Sequence, residues 1–175
     1  YAYANQPLIL GWNLARLAEC LLPFLDPDQD RAVELANGRL QGIEARYQSE
    51  WLAVMRRKLG LTSDAPGDAD LADDFLTAMA GQGVDWTLAF YRLADAAEGN
   101  TAPLRALFAD PTALLAWLDR WQARLSPGSV ALMRATNPRL IARNHLVEEA
   151  LEAATAGDMA PFHALLDALR RPFDA

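Results

Sequence analysis

The residues whose types and spacing come closest to catalytic or metal chemistry are His145, Glu148 and Glu149. At positions i, i+3 and i+4 of a helix they share one face, where imidazole and carboxylate groups are ligands that zinc accepts. The HExxH and HxxEH metalloprotease patterns need a second nearby histidine, but the other one, His163, belongs to a separate predicted helix. We therefore expect solvated or surface-bridging side chains, with a metal site as the weaker alternative.

Other patterns that could do chemistry have simpler explanations. The stretch GQGVDW at 81–86 starts like a GxGxxG phosphate loop, but it has Trp86 in place of the third glycine and follows a predicted helix. This stretch therefore predicts a helix end and a loop.

Cys20 has no neighbouring histidine and falls in an apolar helical stripe, so we expect it to act as a small buried hydrophobic residue. Trp117 and Trp121, at i and i+4, favour core packing over a stacking ledge for a ligand.

Composition indicates one globular domain over residues 1–175, with 52% hydrophobic and 22% charged residues. The single cysteine excludes an internal disulfide and a multi-cysteine zinc site. The net charge of -7 disfavours nucleic acid and anionic lipid as partners. No apolar run is expected to reach the length of a membrane span, and no signal peptide is visible. The interpretation is a protein of a reducing compartment, the bacterial cytoplasm.

The elements that must position these residues are helical, because apolar residues recur with the helical period and no useful strand pattern occurs. The fold class is therefore predicted to be all-α. Helices are predicted at 8–25, 28–58, 69–80, 85–96, 111–125, 129–135, 138–156 and 159–169.

Several helix ends carry specific signals. Gly38 and Gly42 weaken the long second helix by about 1 kcal/mol each, which predicts a possible kink or break there. Gly60 ends it. Asn137 is predicted to cap the next-to-last helix, with Pro138 in its first turn. Gly157 is expected to end that helix, and Asp158 to cap the last one.

Two stretches resemble the selenoprotein O (SelO) family. The first is YAYANQPLILGWNLARLAECLLPFL, where that family has Tyr-x-x-x-Asn-Gln-Pro followed by Trp-Asn-Leu-x-Arg-Leu-Ala. The matching positions are Tyr3 (or Tyr1), Asn5, Gln6, Pro7, Trp12, Asn13, Leu14, Arg16, Leu17 and Ala18.

The second stretch begins at MRATNPRL and continues to the Pro-Phe near the end. It matches the family's Met-Arg-x-x-Asn-Pro, its Arg-Asn pair, a Gly-Asp turn and a closing Pro-Phe. The positions are Met133, Arg134, Asn137, Pro138, Arg143, Asn144, Gly157, Asp158, Pro172 and Phe173. The KLGL segment at 58–61 also fits, so the resemblance covers essentially the whole chain.

The resemblance implies a protein-kinase-like fold that binds ATP with a divalent metal, magnesium or manganese. It also implies transfer of AMP to Ser, Thr or Tyr hydroxyls of other proteins. The family's Asn-Thr-Asp-Asn and Asp-(Tyr or Phe)-Gly-Pro motifs lie upstream of Asn-Gln-Pro and do not occur here. We therefore expect the C-terminal helical part of a larger enzyme, with no catalytic, cofactor-binding or metal residue of its own.

By kinase analogy, the helix carrying Trp12 and Asn13 is expected to be a buried pillar beneath the catalytic loop. Arg143 and Asn144 either bridge to the upstream kinase-like portion of the protein or serve ordinary capping and solvent contact. The expected partners are that portion and the protein substrates. The alternative is a free-standing helical interaction module. No cysteine stands in the C-terminal stretch, so a redox-active tail is not supported.

Overall fold

The computed structural model describes residues 5–173, so the matches at Tyr1 and Tyr3 lie outside the described residues. Within the described part all regular structure is helical, which confirms the all-α prediction. Its helices are α1 Gln6–Leu25, α2 Gln29–Leu40, α3 Ile43–Lys58, α4 Asp68–Met79, α5 Trp86–Ala97, α6 Ala102–Arg105, α7 Thr112–Gln122, α8 Ser129–Thr136, α9 Asn144–Thr155 and α10 Ala160–Leu169. They form two compact units, which divide within α3 between Ala53 and Val54.

Short polar and glycine signals set the helix ends of the first unit. The Asp28 carboxylate accepts a hydrogen bond from the Arg31 backbone N–H at 3.1 Å and so caps α2. The long helix predicted over 28–58 ends at Leu40 and restarts at Ile43. The predicted break beside Gly42 is therefore confirmed. Helix α1 packs on α2.

The core of the second unit is built on aromatic rings from three helices. Phe75 of α4 stacks on Trp117 of α7 at 4.4 Å between ring centroids, and Trp117 stacks on Trp121 at 5.3 Å. Phe90 of α5 meets Phe75 edge to face at 5.2 Å. All four side chains are 1% exposed or less. Such rings bury large apolar areas, so this cluster holds α4, α5 and α7 together.

Each buried indole of this core also has a hydrogen-bond partner. Trp117 Nε1 donates to the Leu71 carbonyl at 2.7 Å, and Trp121 Nε1 donates to the Leu59 carbonyl at 2.8 Å. Without these acceptors, burial of the N–H groups would cost stability. The prediction that Trp117 and Trp121 pack in the core is therefore confirmed, and they do not form a stacking surface for a ligand.

The turn after α3 depends on glycine. Gly60 has φ +73°, and a Cβ placed there would lie 2.9 Å from Met133 Cγ and 3.0 Å from the Ser129 carbonyl oxygen. A side chain would add steric overlap to an unfavourable backbone conformation. The prediction that Gly60 ends this helix is confirmed, and the turn seats Leu59 and Leu61 in the core.

The prediction that Asn137 caps a helix starting at Pro138 is wrong. Asn137 instead follows the last residue of α8, and α9 begins only at Asn144. Its side chain is directed into the core and is not available to the free amides of a following helix.

The segment between α8 and α9 is held by another part of the backbone. The N–H groups of Arg139 and Leu140 donate to the Pro172 carbonyl at 2.8 and 3.3 Å, bonds that replace those of a helix. The following helices, α9 and α10, pack on each other. Asp158 accepts from the Ala160 N–H at 2.9 Å, although Met159 occupies the N-cap position.

Helix α6 was not predicted from the sequence. It has four residues, Ala102–Arg105, which is a single turn. One turn is too short for a hydrophobic period to appear in the sequence.

Candidate functional site

The deepest of the signature residues is Asn137, which is 1% exposed. Its Nδ2 donates to the Lys58 carbonyl at 2.7 Å and to the Phe90 carbonyl at 3.2 Å, and its Oδ1 accepts from Lys58 Nζ at 3.1 Å. One amide thus joins the ends of α3 and α8 to α5. This is a structural crosslink, in which the polar atoms of a buried side chain are satisfied by the protein itself.

Lys58 is the only lysine among the 16 basic residues of the chain. Its ammonium lies 4.8 Å from the centroid of the Phe90 ring, a cation–π arrangement. Burial lowers the pKa of Lys58 below its ordinary value, because a charged amine loses hydration there. The polar and aromatic partners keep this half-buried amine in place.

Arg134, another signature residue, lies at the centre of a second cluster. It donates to Asp95 at 2.6 Å and to Glu98 at 3.2 Å, and its guanidinium carbon is 5.3 Å from the Tyr91 ring centroid. Burial by itself raises the pKa of Asp95, but hydrogen bonds from Arg134 and Arg92 outweigh burial and hold that pKa below its usual value. Asp95 is therefore ionised at neutral pH and joins α5 to α8.

A third cluster surrounds Asp68, a buried carboxylate that the sequence analysis did not identify. It accepts from Arg56 Nε at 2.8 Å, from Arg124 at 2.9 Å and from the Ala65 N–H at 2.9 Å. Burial by itself raises the pKa of Asp68, but the Ala65 N–H and both guanidiniums lower it below the ordinary value. The cluster joins the end of α3 and the start of α4 to the turn that follows α7. Its two arginines lie 12 and 56 positions from Asp68 in the sequence, so no local sequence pattern predicts this cluster.

The other C-terminal signature residues lie at the entrance to α9. Arg143 pairs with Asp85 at 2.7 Å, and Asp85 also caps α5 by accepting from the Leu88 N–H at 2.9 Å. Asn144 is exposed and Pro138 is half-buried. The GQGVDW stretch is a helix end and a loop, as predicted, and its Asp85 also caps α5.

The N-terminal signature residues from Asn5 onward, which the structure describes, belong to α1 or to its N-cap position. Asn5 occupies the N-cap position, and Gln6 and Pro7 begin the helix. Trp12 is 60% exposed and Asn13 is also exposed. The Arg16 guanidinium lies 5.7 Å from the Trp12 ring centroid, and its ion pair with Glu19 is 2.6 Å long.

The expectation that Cys20 is buried is wrong, because its thiol is exposed. The helical period correctly placed Cys20 on an apolar face of α1, but periodicity does not say whether that face is covered.

The three residues considered as metal ligands are exposed on α9: His145, Glu148 and Glu149. Among residues 5–173 no group of three or more His, Cys, Asp or Glu side chains is arranged to hold a metal ion.

The prediction that no apolar run reaches the length of a membrane span is also wrong. Helix α1 has 20 residues with a mean hydropathy of 1.4, so by length and composition alone it could cross a membrane. This is weak evidence for a membrane, because core helices and signal sequences pass the same test. None of its residues is buried within the structure.

A SelO family model, described as protein adenylyltransferase SelO, matches residues 1–170 of the chain. The chain belongs to the SelO family. The resemblance found in the two signature stretches is thereby confirmed.

Several curated relatives bear the name protein nucleotidyltransferase YdiU. One from Cereibacter sphaeroides strain KD131 is 61% identical over 173 residues, which cover 99% of this chain and 36% of the relative. Relatives from Chromobacterium violaceum and Agrobacterium fabrum are 51% and 46% identical, over 38% and 37% of their lengths. The SelO chain described here thus spans little more than a third of the length of these relatives.

The geometry divides the SelO signature residues into two groups. Asn137, Arg134 and Arg143 bind groups within the second unit, each joining segments that are distant in sequence. Trp12 and Asn13, by contrast, are exposed on α1. The contacts of the first group stabilise the second unit of this SelO chain. The exposed Trp12 and Asn13 make no comparable contact between distant segments within residues 5–173.

Proposed function

We propose that this chain is the C-terminal helical part of an ATP-dependent protein adenylyltransferase with a protein-kinase-like fold. The supporting observation is the SelO family match over residues 1–170, together with relatives named protein nucleotidyltransferase. In the proposed reaction a Ser, Thr or Tyr hydroxyl of a protein substrate attacks the α-phosphorus of ATP. The bond between the α-phosphorus and the oxygen that bridges it to the β-phosphorus breaks, and pyrophosphate leaves. The hydroxyl proton passes to a base.

The role proposed for residues 1–175 is structural, with ATP and magnesium or manganese held by the remainder of the longer protein. The polar clusters of the described residues support this role. Asp68 and Asp95 are paired with arginines, and both have lowered pKa values. The proposed reaction needs a general base, whose pKa is best placed near the working pH. The lowered pKa values of Asp68 and Asp95 lie further from that range than the pKa of an ordinary aspartate. Each carboxylate instead joins helices of the second unit.

The proposed setting is the bacterial cytoplasm, and the proposed partners are the kinase-like portion of the same protein and its protein substrates. The net charge of -7 favours neither nucleic acid nor an anionic membrane as a partner.

Mass spectrometry of AMP transfer tests this proposal. The full-length protein is incubated with isotopically labelled ATP, a divalent metal and a bacterial protein extract, beside residues 1–175 alone. We expect labelled AMP on Ser, Thr or Tyr residues only with the full-length protein. AMP transfer by residues 1–175 alone would contradict the structural role.

The second candidate is a free-standing helical interaction module, favoured by the exposed apolar side chains of α1. It predicts no AMP transfer by either protein, and a stable, soluble fold for residues 1–175 on their own. The same preparation therefore separates the two candidates.

A further inference from the structure

Lys58 is a half-buried cation at the end of α3, and its contacts within the described residues are neutral. Its ammonium donates to Asn137 Oδ1 at 3.1 Å and lies 4.8 Å from the centroid of the Phe90 ring. A lysine ammonium has three N–H donors, so this hydrogen bond leaves two of them for other acceptors. Among residues 5–173 no carboxylate forms an ion pair with Lys58. Its positive charge therefore has no opposite charge in this part of the chain.

The other buried charges of the second unit are paired. Between residues 54 and 173, the carboxylates that are buried or half-buried are those of Asp68, Asp85 and Asp95. Each of them accepts from an arginine, at 2.8, 2.7 and 2.6 Å respectively. Buried charges in proteins are normally paired in this way. These three carboxylates thus have partners of their own, whereas Lys58 has no ion-pair partner in the same range.

Lysine is a residue that loses much by being buried without a partner. Of the 16 basic residues of the chain, Lys58 is the single lysine and the rest are arginines. The compact ammonium of lysine is more strongly hydrated than a guanidinium, so its burial costs more. Burial is the cause of the lowered pKa of Lys58, and no neighbouring charge opposes that effect. A carboxylate in contact with the ammonium would offset this cost.

We infer that Lys58 forms an ion pair with an Asp or Glu carboxylate in the remainder of the same longer protein. The chain accounts for only 36 to 38% of the length of its curated relatives, so the longer protein has ample sequence to supply that carboxylate. The ion pair joins the end of α3 to that portion, and Asn137 holds the ammonium in position for it. This inference rests on the proposed function in one respect, namely that the chain works as part of the longer protein.

A carboxylate suits this position better than a phosphate group does. The planar guanidinium of arginine is the group that recognises phosphate through two parallel hydrogen bonds, whereas lysine acts as a point charge. The net charge of -7 also repels anions that carry more than one charge. A carboxylate carries a single negative charge and therefore matches the single ammonium of Lys58.

Zero-length cross-linking tests the ion pair in the unmodified full-length protein. A water-soluble carbodiimide activates a carboxyl group, the Lys58 amine attacks the activated carbonyl carbon, and a urea leaves. The product is an amide, and Lys58 and its partner together lose one water. Because Lys58 is the only lysine of residues 1–175, mass spectrometry assigns its peptide without ambiguity. We expect a cross-link from Lys58 to an Asp or Glu outside residues 1–175, and its absence would overturn the inference.

A matched pair of glutamine variants tests the same contact through stability. Lys58→Gln removes the charge but keeps an N–H donor for Asn137, and Arg57→Gln removes the adjacent, exposed charge of α3. An unpaired Lys58 predicts an unchanged or higher melting temperature for Lys58→Gln, because the cost of burying the charge disappears.

We expect instead that Lys58→Gln lowers the melting temperature of the full-length protein by about 2 °C or more, because the partner carboxylate loses its cation. Arg57→Gln should leave the melting temperature nearly unchanged. A melting temperature of Lys58→Gln at or above that of the unmodified protein would contradict the inference.

Other partners of Lys58 give different cross-linked products. A cross-link confined to carboxylates of residues 1–175 would replace the inference with a contact inside this segment. In a mixture of isotopically labelled and unlabelled protein, Lys58 peptides that join a labelled to an unlabelled copy would replace it with a contact between two molecules. A cross-link to the remainder of the same molecule, in a protein that transfers no AMP, would confirm the ion pair and refute the proposed activity.

Discussion

Asn137 holds Lys58 at two points, accepting from its ammonium at 3.1 Å and donating to its backbone carbonyl at 2.7 Å. The two residues are 79 positions apart in the sequence. A single amide thereby fixes both the end of α3 and the direction of the only lysine in the chain. The first prediction tests the strength of this relationship.

Replacing Asn137 with Ala removes one hydrogen-bond donor from each of the Lys58 and Phe90 carbonyls and one acceptor from a half-buried ammonium. We expect the free energy of unfolding of the full-length protein to fall by about 2 to 3 kcal/mol. Asn144→Ala, at an exposed position of α9, is the matched control and should cost less than about 0.5 kcal/mol. Urea denaturation measures both variants, and similar losses for the two would refute the crosslink.

The Asp68 cluster should make stability depend on pH in the acid range. Because the folded-state pKa of Asp68 is lowered, its contribution is complete above the pKa of an unfolded aspartate, about 3.9. That contribution is lost as the pH falls through the lower folded-state pKa. Asp68→Asn should cost about 3 kcal/mol at neutral pH, because it leaves two arginines without their buried partner.

The control for Asp68 is Asp70→Asn, an exposed carboxylate in the same helical turn. Unfolding free energies measured between pH 7 and acid should show a smaller acid-induced loss for Asp68→Asn than for the unmodified protein. Asp70→Asn should follow the unmodified protein. An unchanged acid-induced loss in Asp68→Asn would mean that other groups cause it.

Alanine substitutions at Gly60 and Gly81 distinguish the cost of steric crowding from the cost of backbone strain. Both have φ +73°, but a Cβ at Gly60 meets Met133 at 2.9 Å, whereas a Cβ at Gly81 has nothing within 4 Å. We expect Gly81→Ala to cost about 1 kcal/mol from backbone strain alone, and Gly60→Ala to cost more by about 1 to 3 kcal/mol from overpacking. Thermal unfolding of the two variants measures the difference, and equal losses would show that Met133 moves away freely.

Asp85 should contribute more to stability than its partner Arg143. Arg143→Gln breaks one partly exposed ion pair and should cost less than about 1 kcal/mol. Asp85→Ala also removes the cap of α5 at the Leu88 N–H and should cost about 1 to 2 kcal/mol. A double-mutant cycle measures the coupling between the two residues. A larger loss from Arg143→Gln than from Asp85→Ala would contradict this order.

The sequence predicted the helices because their apolar period is local, and it predicted the break near Gly42 because glycine propensity is local as well. Asn137 was misassigned because Asn-Pro fits a helix start, while the competing partner, Lys58, is distant in sequence. Asp68 was missed for the same reason, since Arg124 is 56 positions away. Cys20 was misjudged because a hydrophobic period shows which face is apolar but not whether the face is covered.

The central claim is that residues 1–175 support a nucleotide site without forming it. Photocrosslinking of the full-length protein with an azido derivative of ATP, followed by peptide mapping, tests this claim most directly. We predict competition by unmodified ATP and crosslinked peptides only outside these 175 residues. ATP-competed crosslinks within residues 5–173 would contradict the account and place nucleotide contacts in this helical segment.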